Sequence, residues 1–383
     1  MKIKKLTLMK TLLKPIAVLC CVGLFAACNK TNSVTVPSDP VIKNPIADYT
    51  VTPDPNDGFT FQFNSLAENF TKLEWRFGDD TLNTQTNPLH TYLATGSYTV
   101  DLESYSKTGQ TSHKQVVINI VPDSIIKVSA TKTGVTGQLQ FSAVVKAHVK
   151  TIAWTFNAVD PSTSNVTTTT SSDLSPVTTF AFGSFNSFSV TITTDKGSEA
   201  TVSRNVTPEG IVTDITQSRI NFGTTNEDTG NSNENSPKLI DGNTNTKFGF
   251  YSAFPVPEIF WLQFPAPATV KMYAIENGND SESTRDPSEW VIEGSNDSSD
   301  GINGTWDIID HRSANSTDPA TMMTPITGKG FADYLTAIGQ NSTRYLRFFY
   351  YPIANPKPYT FYRWRIISVF ANAFQIEEFR LYK

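Results

Sequence analysis

From about residue 45 onward, apolar side chains alternate with polar ones instead of recurring every three or four positions. Phe59, Phe61 and Phe63 fall two residues apart, as do Leu73, Trp75 and Phe77; Tyr98, Val100 and Leu102; and Val116, Ile118 and Ile120. Gly, Asn, Asp and Pro separate these runs. A period of two turns one face of a strand toward a core and the other toward water, and short strands at regular turns build a sandwich. The pattern returns more loosely over residues 122–208, where Ile152-Ala153-Trp154-Thr155-Phe156 echoes residues 73–77. Phe188 to Ile192 followed by Lys196-Gly197 likewise echoes Tyr98 to Leu102 followed by Thr108-Gly109. Between them the Ser/Thr-rich residues 162–172 read as a long loop. Residues 209–383 carry four of the six Trp (261, 290, 306 and 364). Trp261, Trp290 and Trp364 lie in alternating runs and are expected in the core. The pattern therefore predicts an all-β chain of three sandwiches, at 45–121, 122–208 and 209–383.

The first 44 residues have a different texture. Lys2, Lys4, Lys5, Lys10 and Lys14 precede an apolar run over residues 16–27 that ends at Cys28. That run is too short to span a bilayer as a helix, which takes about 20 residues, but it suits the apolar region of an export signal. Leu24-Phe25-Ala26-Ala27-Cys28 resembles the lipobox of bacterial lipoproteins, with Phe25 where Leu is usual. The resemblance implies a signal peptide at 1–27, cleavage before Cys28, acylation of that cysteine, and a flexible tether over 28–44. It places the protein in the cell envelope as an outer-membrane lipoprotein, held to the membrane by its lipid anchor, on the surface-exposed or the periplasmic face. Residues 29–383 contain no Cys, which rules out disulfides and thiol catalysis there.

Charge excludes one class of partner. The leading lysines belong to 31 basic residues set against 36 acidic ones, so the remainder is more acidic than the overall net charge of −5. Such a body is no nucleic-acid binder, because that affinity rests on Lys and Arg neutralising phosphates.

Three motifs sharpen the first sandwich. Trp75-Arg76-Phe77-Gly78-Asp79-Asp80, Asn87-Pro88-Leu89-His90-Thr91-Tyr92 and Gly96-Ser97-Tyr98-Thr99-Val100 occur in that order. Together they resemble a polycystic kidney disease (PKD) domain, an Ig-like sandwich, with Asp80 where that family prefers Gly. Gly78 and Asp79 suit a tight turn, Trp75 and Tyr98 fill the core, and His90 is expected to make a structural hydrogen bond. Residues 122–208 lack the Gly-Asp turn and read as an Ig-like or divergent PKD domain, a spacer.

The third segment carries a longer series. Leu239-Ile240-Asp241-Gly242-Asn243-Thr244-Asn245-Thr246-Lys247-Phe248 is followed by Trp261-Leu262-Gln263-Phe264, Arg285-Asp286-Pro287-Ser288-Glu289-Trp290 and Glu293-Gly294-Ser295-Asn296-Asp297. Trp306-Asp307-Ile308-Ile309, Tyr362-Arg363-Trp364-Arg365-Ile366 and residues 375–382 complete it. The series resembles a discoidin domain (coagulation factor 5/8 C-terminal type), in particular carbohydrate-binding modules of family 32. That resemblance implies an eight-stranded jelly roll of the galactose-binding kind, a structural calcium ion and a ligand site on loops at one end. The family's calcium pattern carries over to Asp241, Asn243 and Thr246, with Glu378 arriving from the terminal strand. Calcium accepts six to eight oxygen ligands of mixed kind, which this loop offers densely.

Sugar recognition needs an aromatic face for the C–H patch of a ring and polar groups for its hydroxyls. Loop positions leave Phe250, Tyr251 or Tyr351 as the platform, with Arg285, His311 and Arg312 as hydrogen-bonding groups. No enzyme is expected. The four His are scattered, no HExxH, GxSxG, P-loop or GxGxxG motif occurs, and adjacent Glu377 and Glu378 point to opposite faces of a strand. The expected function is non-catalytic glycan binding, accessory to polysaccharide capture, with glycan and outer-membrane glycan importer components as partners. The alternative is a protein-binding, adhesive or architectural envelope lipoprotein.

Overall fold

The structure is a computed structural model that describes residues 43–383 apart from 162, 164, 229, 231, 279–282 and 341–346. The expected signal peptide, the acylated Cys28 and most of the tether lie outside the described residues. No helix among the described residues is long and apolar enough to cross a membrane.

Strand alternation builds the first sandwich as expected. One sheet runs Tyr49–Pro53, Thr60–Ser65, Leu89–Thr91, and the other Leu82–Asn83, Lys72–Arg76, Gly96–Tyr105, Thr111–Ile120. Phe59, Phe63, Leu73, Trp75, Phe77, Tyr92, Val100 and Leu102 meet between them and are buried. The motif residues then explain themselves. Gly78 adopts φ +84°, and a Cβ there would lie 2.8 Å from backbone atoms of Thr99. Asp80 adopts φ +64°, which accounts for the Gly that the resemblance leads one to expect there. His90 makes its structural bond to Asp79 at 2.7 Å and stacks on Phe77 with ring centroids 4.0 Å apart.

The second sandwich repeats this plan around Phe141, Trp154, Phe156 and Phe188. Trp154 and Phe156 stack at 5.9 Å and 3° between planes, and Trp75 and Phe77 at 6.3 Å and 6°. Both tryptophans donate their indole N–H to a backbone carbonyl, of Asp173 and of Gln85 respectively. Two expectations change. Residues 162–172 are not all loop, because Val166–Ser171 forms an edge strand paired with Val149–Val159. β-branched Val and Thr favour that conformation without any apolar alternation. The sheet also continues past residue 208, since Gly210–Val212 pairs with Glu199–Thr207. First and second sandwiches share one continuous buried core, with Ile125 and Ile126 at their junction.

The third sandwich has nine strands among the described residues instead of eight. The five-stranded sheet runs Asn221–Thr224, Glu258–Thr269, Pro358–Val369, Pro287–Ser295, Asp307–Ser313. The four-stranded sheet runs Phe248–Phe250, Phe374–Tyr382, Met272–Asn277, Phe348–Pro352. Trp290 and Trp364 meet edge to face in the core at 6.2 Å, as expected. Trp261 does not join them. Phe260, Leu262 and Phe264 take the inward positions of its strand, so Trp261 faces out. There it lies between Gly223 and Gly301, whose Cβ atoms would fall 2.4 and 2.2 Å from its ring. Alternation shows that two faces exist, but it does not say which of an all-apolar run looks inward.

One loop is fixed by a single buried acid. The Glu258 carboxylate accepts hydrogen bonds from the Thr225 and Asn226 backbone N–H groups and from the side chains of Thr224, Thr225 and Asn226.

Candidate ligand-binding site

The strand Phe248–Phe250 pairs with the terminal strand so that Gly249 lies opposite Gln375. Tyr251 follows directly and is 39% exposed, enough to offer ring surface to a ligand. Its hydroxyl donates to Glu234 Oε2 at 2.6 Å. The Arg285 guanidinium lies over the Tyr251 ring, 5.3 Å from its centroid. Arg285 closes the short turn Ser283–Arg285, and its Nη1 donates to Gln375 Oε1 at 2.9 Å. Lys247 Nζ stands 3.6 Å from Glu234 Oε1. Glycines permit this crowding: a Cβ on Gly249 would fall 2.5 Å from the Tyr251 hydroxyl, and one on Gly278 2.2 Å from Gln375 Nε2.

Two of the expected site residues, Tyr251 and Arg285, are thus brought together. The others are placed elsewhere. Phe250 is half-buried and meets Phe254 at 5.5 Å, so it walls the core. The strand Asp307–Ser313 runs through His311 and Arg312, which removes both from a loop. His311 pairs at 2.9 Å with Glu289 of the neighbouring strand Pro287–Ser295. Arg312 and Tyr351 are largely buried and lie away from Tyr251, lining a separate cavity with Phe182, Met322 and Phe349. Arg312 grips Asp310 through Nε at 2.8 Å and Nη2 at 3.0 Å and lies over the Tyr351 ring at 5.0 Å. Asp310 accepts from the Tyr273 hydroxyl, which in turn accepts from Trp290 Nε1. A buried charge of this kind persists because it is paired and hydrogen-bonded.

Glu234, Lys247 and Gln375 were not foreseen. They sit 17, 4 and 124 positions from Tyr251 in a pattern with no period, so only the folded chain reveals them. A glycine at each crowded point was the available signal.

The expected cation ligands form a second cluster. Asp241 accepts from the Asn243 N–H at 2.8 Å and from the Thr246 hydroxyl at 2.8 and 3.0 Å. The Thr246 hydroxyl also reaches the Asn243 carbonyl at 2.9 Å, so oxygens of three residues gather around the Gly242 turn. Glu378 is fully buried, and neither carboxylate oxygen has a hydrogen-bond donor among the described residues. Arg380 Nε stands 3.4 Å from it. Burial pushes the Glu378 carboxyl up to about 9; Arg380 opposes the rise, and the Asp241 and Glu276 carboxylates add to it. A buried carboxylate without donors among the described residues, acting on the Asp241 carboxylate, suits a hard cation. No group of three or more His, Cys, Asp or Glu suited to a metal occurs among the described residues, so carbonyl and hydroxyl oxygens would have to complete the shell.

The chain is 34% identical over 91 residues to collagenase ColA of Bacillus cereus, a stretch covering 23% of this chain and 9% of that protein. The chain therefore spans a small fraction of the curated relative it matches. The family 32 carbohydrate-binding module of C. perfringens NanJ, solved with galactose, is 15% identical, covers 45% of this chain and all of its own, and has a TM-score of 0.31. The PKD1 domain of the Vibrio cholerae metalloprotease PrtV is 22% identical, covers 20% of this chain and 98% of its own, and has a TM-score of 0.19. By sequence, residues 38–121 match the family model of the PKD domain, beginning seven residues before the start expected from the strand pattern.

Proposed function

We propose that this chain is a non-catalytic, membrane-anchored protein that binds glycan through the loop end of its third sandwich. One observation carries the reading: the half-exposed Tyr251 ring is flanked by Glu234, Arg285, Gln375 and Lys247. An aromatic surface beside charged donors and acceptors matches the two demands of a sugar ring, apolar on its C–H face and polar at its hydroxyls. The ordered discoidin-type motifs of residues 239–382 support it, as does the galactose bound by the NanJ module.

Calcium belongs to the same proposal. Asp241, Asn243, Thr246 and Glu378 would hold it, and bound there it would supply positive charge to a buried carboxylate. The lipobox supports anchoring through Cys28, and with it an envelope location from which captured polysaccharide could pass to importer components.

A glycan array with the full chain tests the function. Binding to at least one polysaccharide is expected, with Tyr251→Ala and Arg285→Ala each weakening it at least tenfold, about 1.4 kcal/mol. Binding that survives both substitutions together refutes this placement. No binding to any polysaccharide favours a protein-binding envelope role instead.

A further inference from the structure

We propose that Phe182, a residue of the second sandwich, is a positioning residue for Arg285 in the third, and so makes the second sandwich part of the binding module. This rests on the glycan-binding reading above. Phe182 lies between the strands Val177–Thr179 and Asn186–Thr194. Its half-buried ring leaves its own sandwich and packs edge-on against Tyr334 and Phe349, both at 5.6 Å. Tyr334 belongs to the short helix Phe331–Ala337, which Phe349 holds from below through Phe331 at 4.3 Å.

That helix is tied directly to the turn that carries Arg285. The Phe331 N–H donates to Asp286 Oδ2 at 2.6 Å, and the Asp333 N–H to Ser283 Oγ at 3.0 Å. Ser283 and Asp286 bracket Arg285, and the Asp286 N–H closes the turn onto the Ser283 carbonyl at 3.2 Å. Gly330 permits the contact: a Cβ there would lie 2.6 Å from Asp286 Oδ2 and 2.7 Å from the Ser283 side chain. From this turn the Arg285 side chain reaches Tyr251 and Gln375. Helix and turn therefore move together, and Phe182 sets where the helix sits.

The segment around Phe182 is itself held against the third sandwich. The Tyr350 hydroxyl donates to the Ser184 carbonyl at 2.7 Å, and the Phe348 N–H to the Gly183 carbonyl at 3.3 Å. Phe185 lies 6.0 Å from Tyr382, and Arg380 stands over both Phe185 and Phe348. Packed aromatic contacts of this density transmit displacement, because close-packed interiors have little room to absorb it.

The full chain, labelled with 15N-arginine, tests the proposal. The Arg285 Nε–H resonance, assigned by its loss in Arg285→Lys, reports its place over the Tyr251 ring. Phe182→Ala should shift that resonance and weaken glycan binding by about two- to thirtyfold. Phe182→Leu, which refills most of the space, should restore both in large part, and the shift should be read well below the melting temperature of each variant, where all chains are folded. Should Phe182→Ala fail to fold, Gly330→Ala interrupts the same path within the third sandwich and should shift the same resonance. An Arg285 resonance unmoved in a folded Phe182→Ala or Gly330→Ala chain overturns the proposal. A wild-type chain that binds no glycan overturns the function reading alone, and the resonance still decides the positioning.

Discussion

Glu378 occupies a place that an acid rarely holds without compensation. Its carboxylate is buried and has no hydrogen-bond donor among the described residues; Arg380 stands 3.4 Å away, and the Arg219 guanidinium also acts on it electrostatically. A cation beside Asp241 would remove that cost and would bind the folded state alone. Ligand binding of this kind stabilises by about 2.7 kcal/mol at a hundredfold excess over the dissociation constant. Chelation should therefore lower the melting temperature of the full chain, and added calcium should raise it again. Glu378→Gln should abolish that response; a midpoint indifferent to chelator, with no calcium found by elemental analysis, refutes the site. The turn Asp241-Gly242-Asn243 is legible as an oxygen-rich cluster because its residues are neighbours in sequence. That Glu378 would be fully buried was not, since burial depends on what covers the outer face of its strand.

At the scale of elements, the turn after Trp75 offers a pH-dependent test. Burial pushes the Asp79 carboxyl up, but hydrogen bonds from Thr81 and His90 outweigh it and hold the group below its ordinary value of 3.8. An acid lowered in the folded state adds stability above its unfolded value, and that contribution is lost as pH falls through the folded one. Acidification below about pH 4 should thus destabilise the first sandwich, and Asp79→Asn should flatten the dependence while lowering stability at neutral pH. Equal acid sensitivity of wild type and variant would show that this turn contributes nothing. The elements that could be read from sequence were those whose alternation is anchored by large aromatics, such as Trp75 with Phe77 and Trp154 with Phe156. Val166–Ser171 was missed because its strand signal lies in β-branching at exposed positions, not in apolar periodicity. Arg312 and Tyr351 differ from expectation for a related reason: the strands Asp307–Ser313 and Phe348–Pro352 include them, which turns an expected loop side chain into a buried one.

At the scale of the whole molecule, the sandwiches are joined by packing as well as by sequence. Cys28→Ser should shift the protein from the membrane to the soluble fraction, and a variant that stays membrane-bound refutes the anchor. The first two sandwiches cannot be treated as separable beads either, because they share a core. Gly58 shows how closely they fit: its N–H donates to the Lys146 carbonyl at 2.8 Å, and a Cβ on it would fall 2.4 Å from Ile125. In evolutionary terms this joint resists shuffling. A PKD domain transplanted from another protein brings its own residue to position 58, and any side chain larger than hydrogen requires the buried Ile125 δ-methyl to move aside. A graft over residues 45–121 should therefore melt at a lower temperature than the parent unless it carries glycine there, and restoring that glycine should recover much of the loss. Recombination could exchange such a domain freely between chains with flexible linkers; in this chain the exchange has to bring the matching surface with it.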